Sequence, residues 1–332
     1  MLRYGMPMIE AMMTQSKQSQ SGEAPVEAVM RDELAHGDVV LGTIGPILGH
    51  LLANHDHSLF SDEIIARVRG MLANLASQLL EAEGEVIGVE EPHDFALENQ
   101  DSLATLLASN TALLTHCHAM AIESQLALRL QRRNSIDPVL SPLLQSLIAS
   151  EDPAVASSAM AALAAQARFA QQQKRMQMPM AELPADLFHS AMLAWREHAG
   201  EIDATKAAEI ETRLRKTFDE SRGRLGLFSR LVSGMGAGAR ASLSVSHSGV
   251  GLFLSGLAAA SGQDRDIVAL STNDRQLARL ALALRAAGLN PKEVEEQFLY
   301  LHPEISLPHG FSELRVDRAS QLLSSATGWQ IG

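Results

Sequence analysis

The sequence contains a single cysteine, Cys117, and no apolar run near the roughly 20 residues that a membrane-spanning helix needs. One thiol cannot form an internal disulfide, and such a composition suits a reducing compartment. The N-terminus lacks the long apolar stretch and the small-residue cleavage site of a signal peptide. We therefore expect a cytoplasmic protein with no membrane span.

Basic residues are also scarce, since 27 Lys and Arg stand against 39 Asp and Glu and give a formal net charge of −12. A nucleic-acid-binding protein needs a basic surface to displace counterions from phosphates, and an anionic membrane surface attracts basic segments in the same way. The charge therefore argues against both as the main partner. We expect no nucleic acid and favour another protein as the partner.

Aromatic residues make up only 4% of the chain, whereas hydrophobic residues of all kinds make up 46%. The core must then be built mainly from Leu, Ala, Met and Val. Chains that are rich in Ala and Leu and poor in aromatic and β-branched residues favour helices over strands. The composition predicts an all-α fold, and the length of 332 residues predicts more than one helical lobe.

A two-helix unit near the C-terminus is repeated 26 residues further along the chain. The positions that recur are Leu254, Ala260, Gly262, Asp264 and Val268, which correspond to Leu280, Ala286, Gly288, Asn290 and Val294. Each copy runs from an apolar helix into a glycine that tolerates a left-handed conformation, and an Asp or Asn then caps the next helix. The repeat predicts a multi-helix array with HEAT-like, α-solenoid stacking of helix pairs.

Composition also predicts the division of the chain into segments. Residues 81–101 hold eight acidic residues and no Lys or Arg, which indicates a solvated linker followed by one long helix over 102–133. The predicted segments are a disordered N-terminal segment (1–25), an N-terminal helical lobe (26–100) with the acidic linker, central helical repeats (101–221), a Gly/Ser-rich connection (222–249), the duplicated helix-pair unit (250–302) and a C-terminal tail with a short helix (303–332).

Several stretches of the C-terminal half carry a resemblance to a known family. They are Leu183-Pro184-Ala185-Asp186-Leu187-Phe188-His189, Gly251-Leu252-Phe253-Leu254, Gly262-Gln263-Asp264-Arg265-Asp266 and Leu284-Arg285-Ala286-Ala287-Gly288-Leu289. Over roughly residues 136–302 the chain resembles a bacterial family of domains of unknown function with HEAT-like helical repeats. The resemblance implies an all-helical array and supplies no catalytic residue. Residues 1–100 have no counterpart in it.

Two His-Asp doublets, His55-Asp56 and His93-Asp94, are the candidates for a metal site. Helical phosphohydrolases of the HD type bind divalent metals through such a pair and thereby activate water. However, the first doublet lies in a short polar stretch between predicted helices, and the second lies in the acidic segment. We favour solvated loop histidines and keep a metal-dependent phosphohydrolase as the alternative function.

Two further motifs predict no cofactor site. The sequence His116-Cys117-His118 falls within a predicted helix, where residues i and i+2 point about 200° apart and cannot bind one ion. The glycines at 234–238 do not have the G-x-G-x-x-G spacing, and a helix rather than a strand is predicted before them. We therefore predict no catalytic residue and no cofactor.

The remaining candidates are surface residues that would bind a protein partner. Trp195 and Arg196 belong to the residue types that dominate binding hot spots, and Arg213 and Lys216 lie in the most basic stretch of the chain. The alternatives are a core tryptophan and charge pairing on a wet helix face. We expect a non-enzymatic interaction or regulatory scaffold, and a homo-oligomeric structural protein is a further hypothesis.

Overall fold

The computed structural model describes residues 26–54, 62–200 and 202–326. These residues form fourteen α-helices and no strand, which confirms the predicted all-α class. The helices are α1 Val26–Asn54, α2 Asp62–Ile87, α3 Pro92–Ala108, α4 Thr111–Asn134, α5 Pro142–Ile148, α6 Pro153–Lys174, α7 Ala185–Ala199, α8 Ala204–Thr217, α9 Arg224–Gly234, α10 Val245–Ser261, α11 Arg265–Ser271, α12 Leu277–Ala286, α13 Pro291–Leu301 and α14 Val316–Ser325. The predicted N-terminal segment 1–25 lies outside the described residues.

Helix α4 forms the axis of the fold. Its N-terminus is defined by Asn110, whose side chain accepts a hydrogen bond from the backbone N–H of Leu113. The helix contacts seven others, namely α1, α2, α3, α6, α10, α11 and α13. Because α4 is covered on nearly all sides, most of its middle turns are buried, and one apolar core extends from Met30 to Leu323.

The first and last described helices pack together, and α12 lies beside them. Arg318 on α14 forms an ion pair of 2.6 Å with Glu27 on α1, and Arg279 on α12 pairs with Asp38. The N-terminal lobe thus shares its core with the C-terminal helices. In a solenoid each repeat contacts only the repeats next to it in the chain, whereas here the first described helix contacts the last. HEAT-like stacking therefore stays a prediction.

The predicted helix ends and caps of the duplicated unit are confirmed. Gly262 follows α10 with φ 67°, and Gly288 follows α12 with φ 91°. Asp264 caps α11 by accepting from two backbone N–H groups, and Asn290 forms a capping box at the start of α13. The predicted helix over 250–261 is the part of α10 after Gly249, where φ 68° and ψ 167° interrupt the helix.

The acidic segment 81–101 is helical rather than a linker. Helix α2 continues to Ile87 and α3 begins at Pro92, so only four residues separate them. Most of the carboxylates are exposed or half-buried, Glu83 is buried, and the inner positions of both helices are apolar. Helices α2 and α3 pack so closely that a side chain at Gly84 would meet Pro92. The predicted long helix over 102–133 is likewise two helices, because Asn110 caps a new one.

The predicted Gly/Ser-rich connection 222–249 is also mostly helical. It contains α9 and a 3-10 helix, Gly236–Leu243. The apolar residues Leu227, Phe228, Leu231 and Val232 of α9 are buried against α5 and α6 and form a second, smaller core. This burial stabilises the segment despite its glycines.

No single described helix is both long and apolar enough to cross a bilayer, although the bent pair formed by 236–243 and 245–261 meets that criterion in length and composition.

Candidate functional site

The largest convergence of charged groups is buried where α4, α9, α11 and the 3-10 helix Met180–Glu182 meet. Arg224, the first residue of α9, is 0% exposed. Its guanidinium donates to Glu123 at 2.5 Å and to Glu182 at 3.0 Å. The same group lies over the Phe169 ring of α6, with 3.6 Å from the guanidinium carbon to the ring centre.

A second arginine shares Glu123. Arg265 at the start of α11 donates to Glu123 Oε2 at 3.0 Å and to the Ser255 hydroxyl at 3.0 Å. Burial favours the neutral form of Glu123, but the two arginine charges and their hydrogen bonds outweigh it and lower the pKa of this carboxyl to about 2. Glu123 is therefore ionised, although it is only 1% exposed.

A buried histidine completes the network. His116 Nδ1 lies 2.7 Å from Asp266 Oδ2, and its Nε2 lies 3.1 Å from the backbone carbonyl oxygen of Glu182. A carboxylate and a carbonyl both accept hydrogen bonds, so the ring satisfies both when each nitrogen carries a proton. Burial lowers the pKa of His116, but the charge and hydrogen bond of Asp266 and the bond to Glu182 outweigh it and raise that pKa.

The network is close to electrically neutral. Three cations, Arg224, Arg265 and His116, face three anions, Glu123, Glu182 and Asp266. Removing one member would leave a buried, unpaired charge, which is far more costly than removing a whole pair. We call these six residues the buried network. Its geometry fixes the helices relative to one another.

The neighbouring thiol is inert. Burial, together with the charge of Asp266, raises the pKa of Cys117 to about 12. A protonated, inaccessible thiol is a poor nucleophile and a poor metal ligand. The expectation that Cys117 is a small buried core residue is confirmed. His118 lies on the same buried helix, where burial lowers its pKa to about 4, and it does not join His116 in the network.

The predicted metal candidates do not converge in the described part of the chain. His93 is exposed and pairs with Glu81 at 2.7 Å, a bond that raises the pKa of the histidine, and Asp94 is exposed beside it. His55 and Asp56 lie outside the described residues. Within 26–54, 62–200 and 202–326, no group of three or more His, Cys, Asp or Glu side chains could hold a metal ion.

The four predicted interface residues occupy different environments. The prediction of Trp195 as an interface residue is wrong, because its side chain is 0% exposed and its indole N–H donates to Glu83 at 2.8 Å in the core. Arg196 pairs with Glu211 at 3.1 Å. Arg213 pairs with Glu85, so its charge is already neutralised. Lys216 is exposed on α8.

The exposed side of α6 is a surface of unusual composition. Asp152 caps this helix and Pro153 is its first residue, as the sequence predicts. The exposed side chains recur at helical spacing, and we call them, with the residue that follows the helix, the α6 face: Met160, Ala161, Ala164, Arg168, Gln171, Lys174 and Arg175. Met160 is 57% exposed, and residues 153–181 contain no acidic residue.

The basic residues of the α6 face have no acidic partner within the described part of the chain. No ion pair or side-chain hydrogen bond there joins Arg168, Lys174 or Arg175 to another residue. The opposite side of α6 is anchored, because Phe169 stacks on Arg224 and the Gln166 amide donates to the Pro138 carbonyl at 2.7 Å. The face is therefore held on a rigid support.

The exposed side of α3 has the opposite charge. Asp94, Leu97, Glu98 and Asp101 lie at positions i, i+3, i+4 and i+7, so they share one side of the helix. We call these four residues the α3 face. Leu97 is 48% exposed between the carboxylates, which the described residues do not neutralise by any ion pair. The α3 face resembles the α6 face in form and opposes it in charge.

No family model, no curated protein and no solved structure matches this chain.

Proposed function

We propose that this protein is an interaction scaffold whose docking surface is the α6 face, and that the partner segment is an acidic, amphipathic helix. The observation that carries the proposal is the absence of any acidic residue over 153–181 in a chain with a net charge of −12. The α6 face has an exposed apolar end at Met160 and a basic end at Arg168, Lys174 and Arg175, and both ends match such a partner.

The small residues of the α6 face support a helical partner. Ala161 and Ala164 are exposed between Met160 and Arg168, so a second helix can approach the backbone of α6 closely. Methionine adapts its shape to different apolar partners. A cytoplasmic location and HEAT-like packing of the 250–302 unit complete this proposal and rest on the sequence alone.

The anchoring of α6 supports a preformed surface. Arg224 holds Phe169 on the buried side of the helix, and the buried network holds Arg224 in turn. A docking surface that is already ordered loses little conformational entropy when it binds. The sequence alternative of a metal-dependent phosphohydrolase has no such support among the described residues.

The experiment uses a fluorescent, alanine-based helical peptide with glutamates and one leucine on a single face. We expect its anisotropy to rise with the concentration of the full chain, and the affinity to fall at least about tenfold in Arg168→Glu/Lys174→Glu. The same peptide with lysines in place of glutamates should bind more weakly. Arg132→Glu/Arg222→Glu, which also reverses two charges at exposed positions, is the matched control.

Two results would contradict the proposal. One is equal binding of the glutamate and lysine peptides, because the charge of the α6 face would then play no part. The other is an equal loss of affinity in Arg132→Glu/Arg222→Glu and in Arg168→Glu/Lys174→Glu, because overall charge would then explain the effect.

A further inference from the structure

We propose that the acidic helix that docks on the α6 face is the α3 face of a second copy of this chain. The inference rests on the proposed function and names its partner. The two faces are complementary, since one carries Asp94, Glu98 and Asp101 around Leu97, and the other carries Arg168, Lys174 and Arg175 at the end away from Met160.

Neither face is covered by the described residues of one copy. The residues of both are exposed, and no ion pair or hydrogen bond joins them in that part of the chain. Residues 26–54, 62–200 and 202–326 of a single copy therefore leave an acidic helix face and a basic helix face exposed. A second copy offers each of them its complement. The carboxylates span residues 94–101 and the basic end of the α6 face spans residues 168–175, so the two charged stretches have the same helical length and can lie side by side.

Three carboxylates in the last turns of α2 have partners, whereas those on the exposed side of α3 have none among the described residues. Glu81 pairs with His93, Glu83 accepts from Trp195 and Glu85 pairs with Arg213. On α6, in the same way, the buried positions Phe169 and Gln166 face the core. The residues left over on each helix form one stripe of one charge.

Because the contact joins the α3 face of one copy to the α6 face of another, its geometry decides the number of copies in the assembly. If each of two copies can place its α3 face on the α6 face of the other at the same time, a closed dimer results. If only one such contact can form between two copies, further copies add head to tail. Two single-helix stripes make a small interface, so the association should be weak and should depend on concentration and salt. Sedimentation at several protein concentrations measures this directly.

The decisive experiment is a charge swap in the full chain. Variant A carries Asp94→Lys/Glu98→Lys/Asp101→Lys, and variant B carries Arg168→Glu/Lys174→Glu/Arg175→Glu. We expect the wild type to associate at low salt and each variant alone to sediment as a monomer, because its two faces then have the same charge. An equimolar mixture of A and B should associate again, since both faces of A are then basic, both faces of B are acidic, and every contact between A and B joins opposite charges.

Controls separate this specific contact from overall charge. Glu295→Lys/Glu296→Lys, on exposed positions of α13, changes the net charge in the same direction as variant A and should leave association unchanged. Leu97→Ser should weaken association, because it removes the apolar side chain between the carboxylates without changing the charge, and it should alter the thermal unfolding midpoint little, because Leu97 is 48% exposed.

The two proposals fail in different ways. A wild type that stays monomeric at all concentrations and low salt, while the glutamate peptide still binds the α6 face, overturns self-association and leaves the proposed function standing. A monomeric wild type that also fails to bind the peptide overturns both. Association that persists in variants A and B overturns the pairing of these two faces.

Discussion

The guanidinium of Arg224 donates to Glu123 and Glu182 and lies over the ring of Phe169, with 3.6 Å from the guanidinium carbon to the ring centre. This contact joins the buried network to α6, because Phe169 belongs to that helix and the network residues do not. The position of the α6 face in the fold thus depends on charges that are largely buried.

We expect Arg224→Met to destabilise the protein by about 3–5 kcal/mol. The substitution leaves Glu182 buried without its arginine partner, and it removes one of the two arginines that pair with Glu123. Urea denaturation measures the loss. Adding Glu182→Gln should restore part of the stability, since it removes the stranded charge. The exposed Arg222→Met is the control, and a cost below about 1 kcal/mol for Arg224→Met would contradict the role assigned to the network.

Stability should fall as the pH rises above about 6.5, on account of His116. The folded-state pKa of His116 lies above its ordinary value of 6.5. The folded state therefore holds this proton more tightly, and the stabilisation is fully present below about pH 6.5 and is lost as the pH rises through the folded-state pKa. The measurement is the free energy of unfolding of wild type and His116→Gln between pH 6 and 9.

The difference in unfolding free energy between wild type and His116→Gln should shrink with rising pH. His93→Gln is the matched control, because His93 also carries a raised pKa but is exposed, so its replacement should change the pH dependence much less. A wild-type advantage over His116→Gln that stays constant across this range would show that His116 is not an imidazolium in the folded protein.

Acid should destabilise the protein through a different histidine. Burial lowers the pKa of His118 from 6.5 to about 4, so the unfolded chain takes up a proton at a pH where the folded chain does not. Stability should therefore fall by about 3 kcal/mol between pH 6.5 and 4 from this group. His118→Gln should flatten the profile over that range, and an unchanged slope in this variant would refute the assignment.

The Cys117 thiol should react only when the protein unfolds. Its pKa of about 12 and its burial leave almost no accessible thiolate at neutral pH. We expect the rate of labelling by an aromatic disulfide reagent to rise with urea in parallel with the loss of helical circular dichroism. Rapid labelling of the native protein would place this thiol in a surface environment.

Local signals in the sequence predicted the helix ends well. Gly262 with Asp264, and Gly288 with Asn290, act through contacts within a few residues, so their pattern is visible without the fold. The acidic composition of 81–101 misled because charge alone does not exclude a helix. The inner positions Ala96, Leu103 and Leu107 at helical spacing were the informative ones.

The buried network could not be found in this way. Arg224 and Glu123 are 101 residues apart and His116 and Asp266 are 150 apart, so no spacing rule relates them. One weak signal exists, since Glu123 directly follows the apolar run 119–122 in the middle of α4, where an acid without a partner would be costly. The surfaces of α3 and α6 required the helix positions and their exposure, which composition does not supply.

The ion pair between Glu27 and Arg318 spans 291 residues of chain. During synthesis α1 leaves the ribosome long before α12 and α14, the helices that it packs against at the end of the chain, have been translated. Until then α1 can pack only against α2, α3 and α4, and the part of its apolar surface that α12 and α14 cover stays exposed. A chain that ends before α12 should therefore leave apolar surface of the first described helix in contact with water.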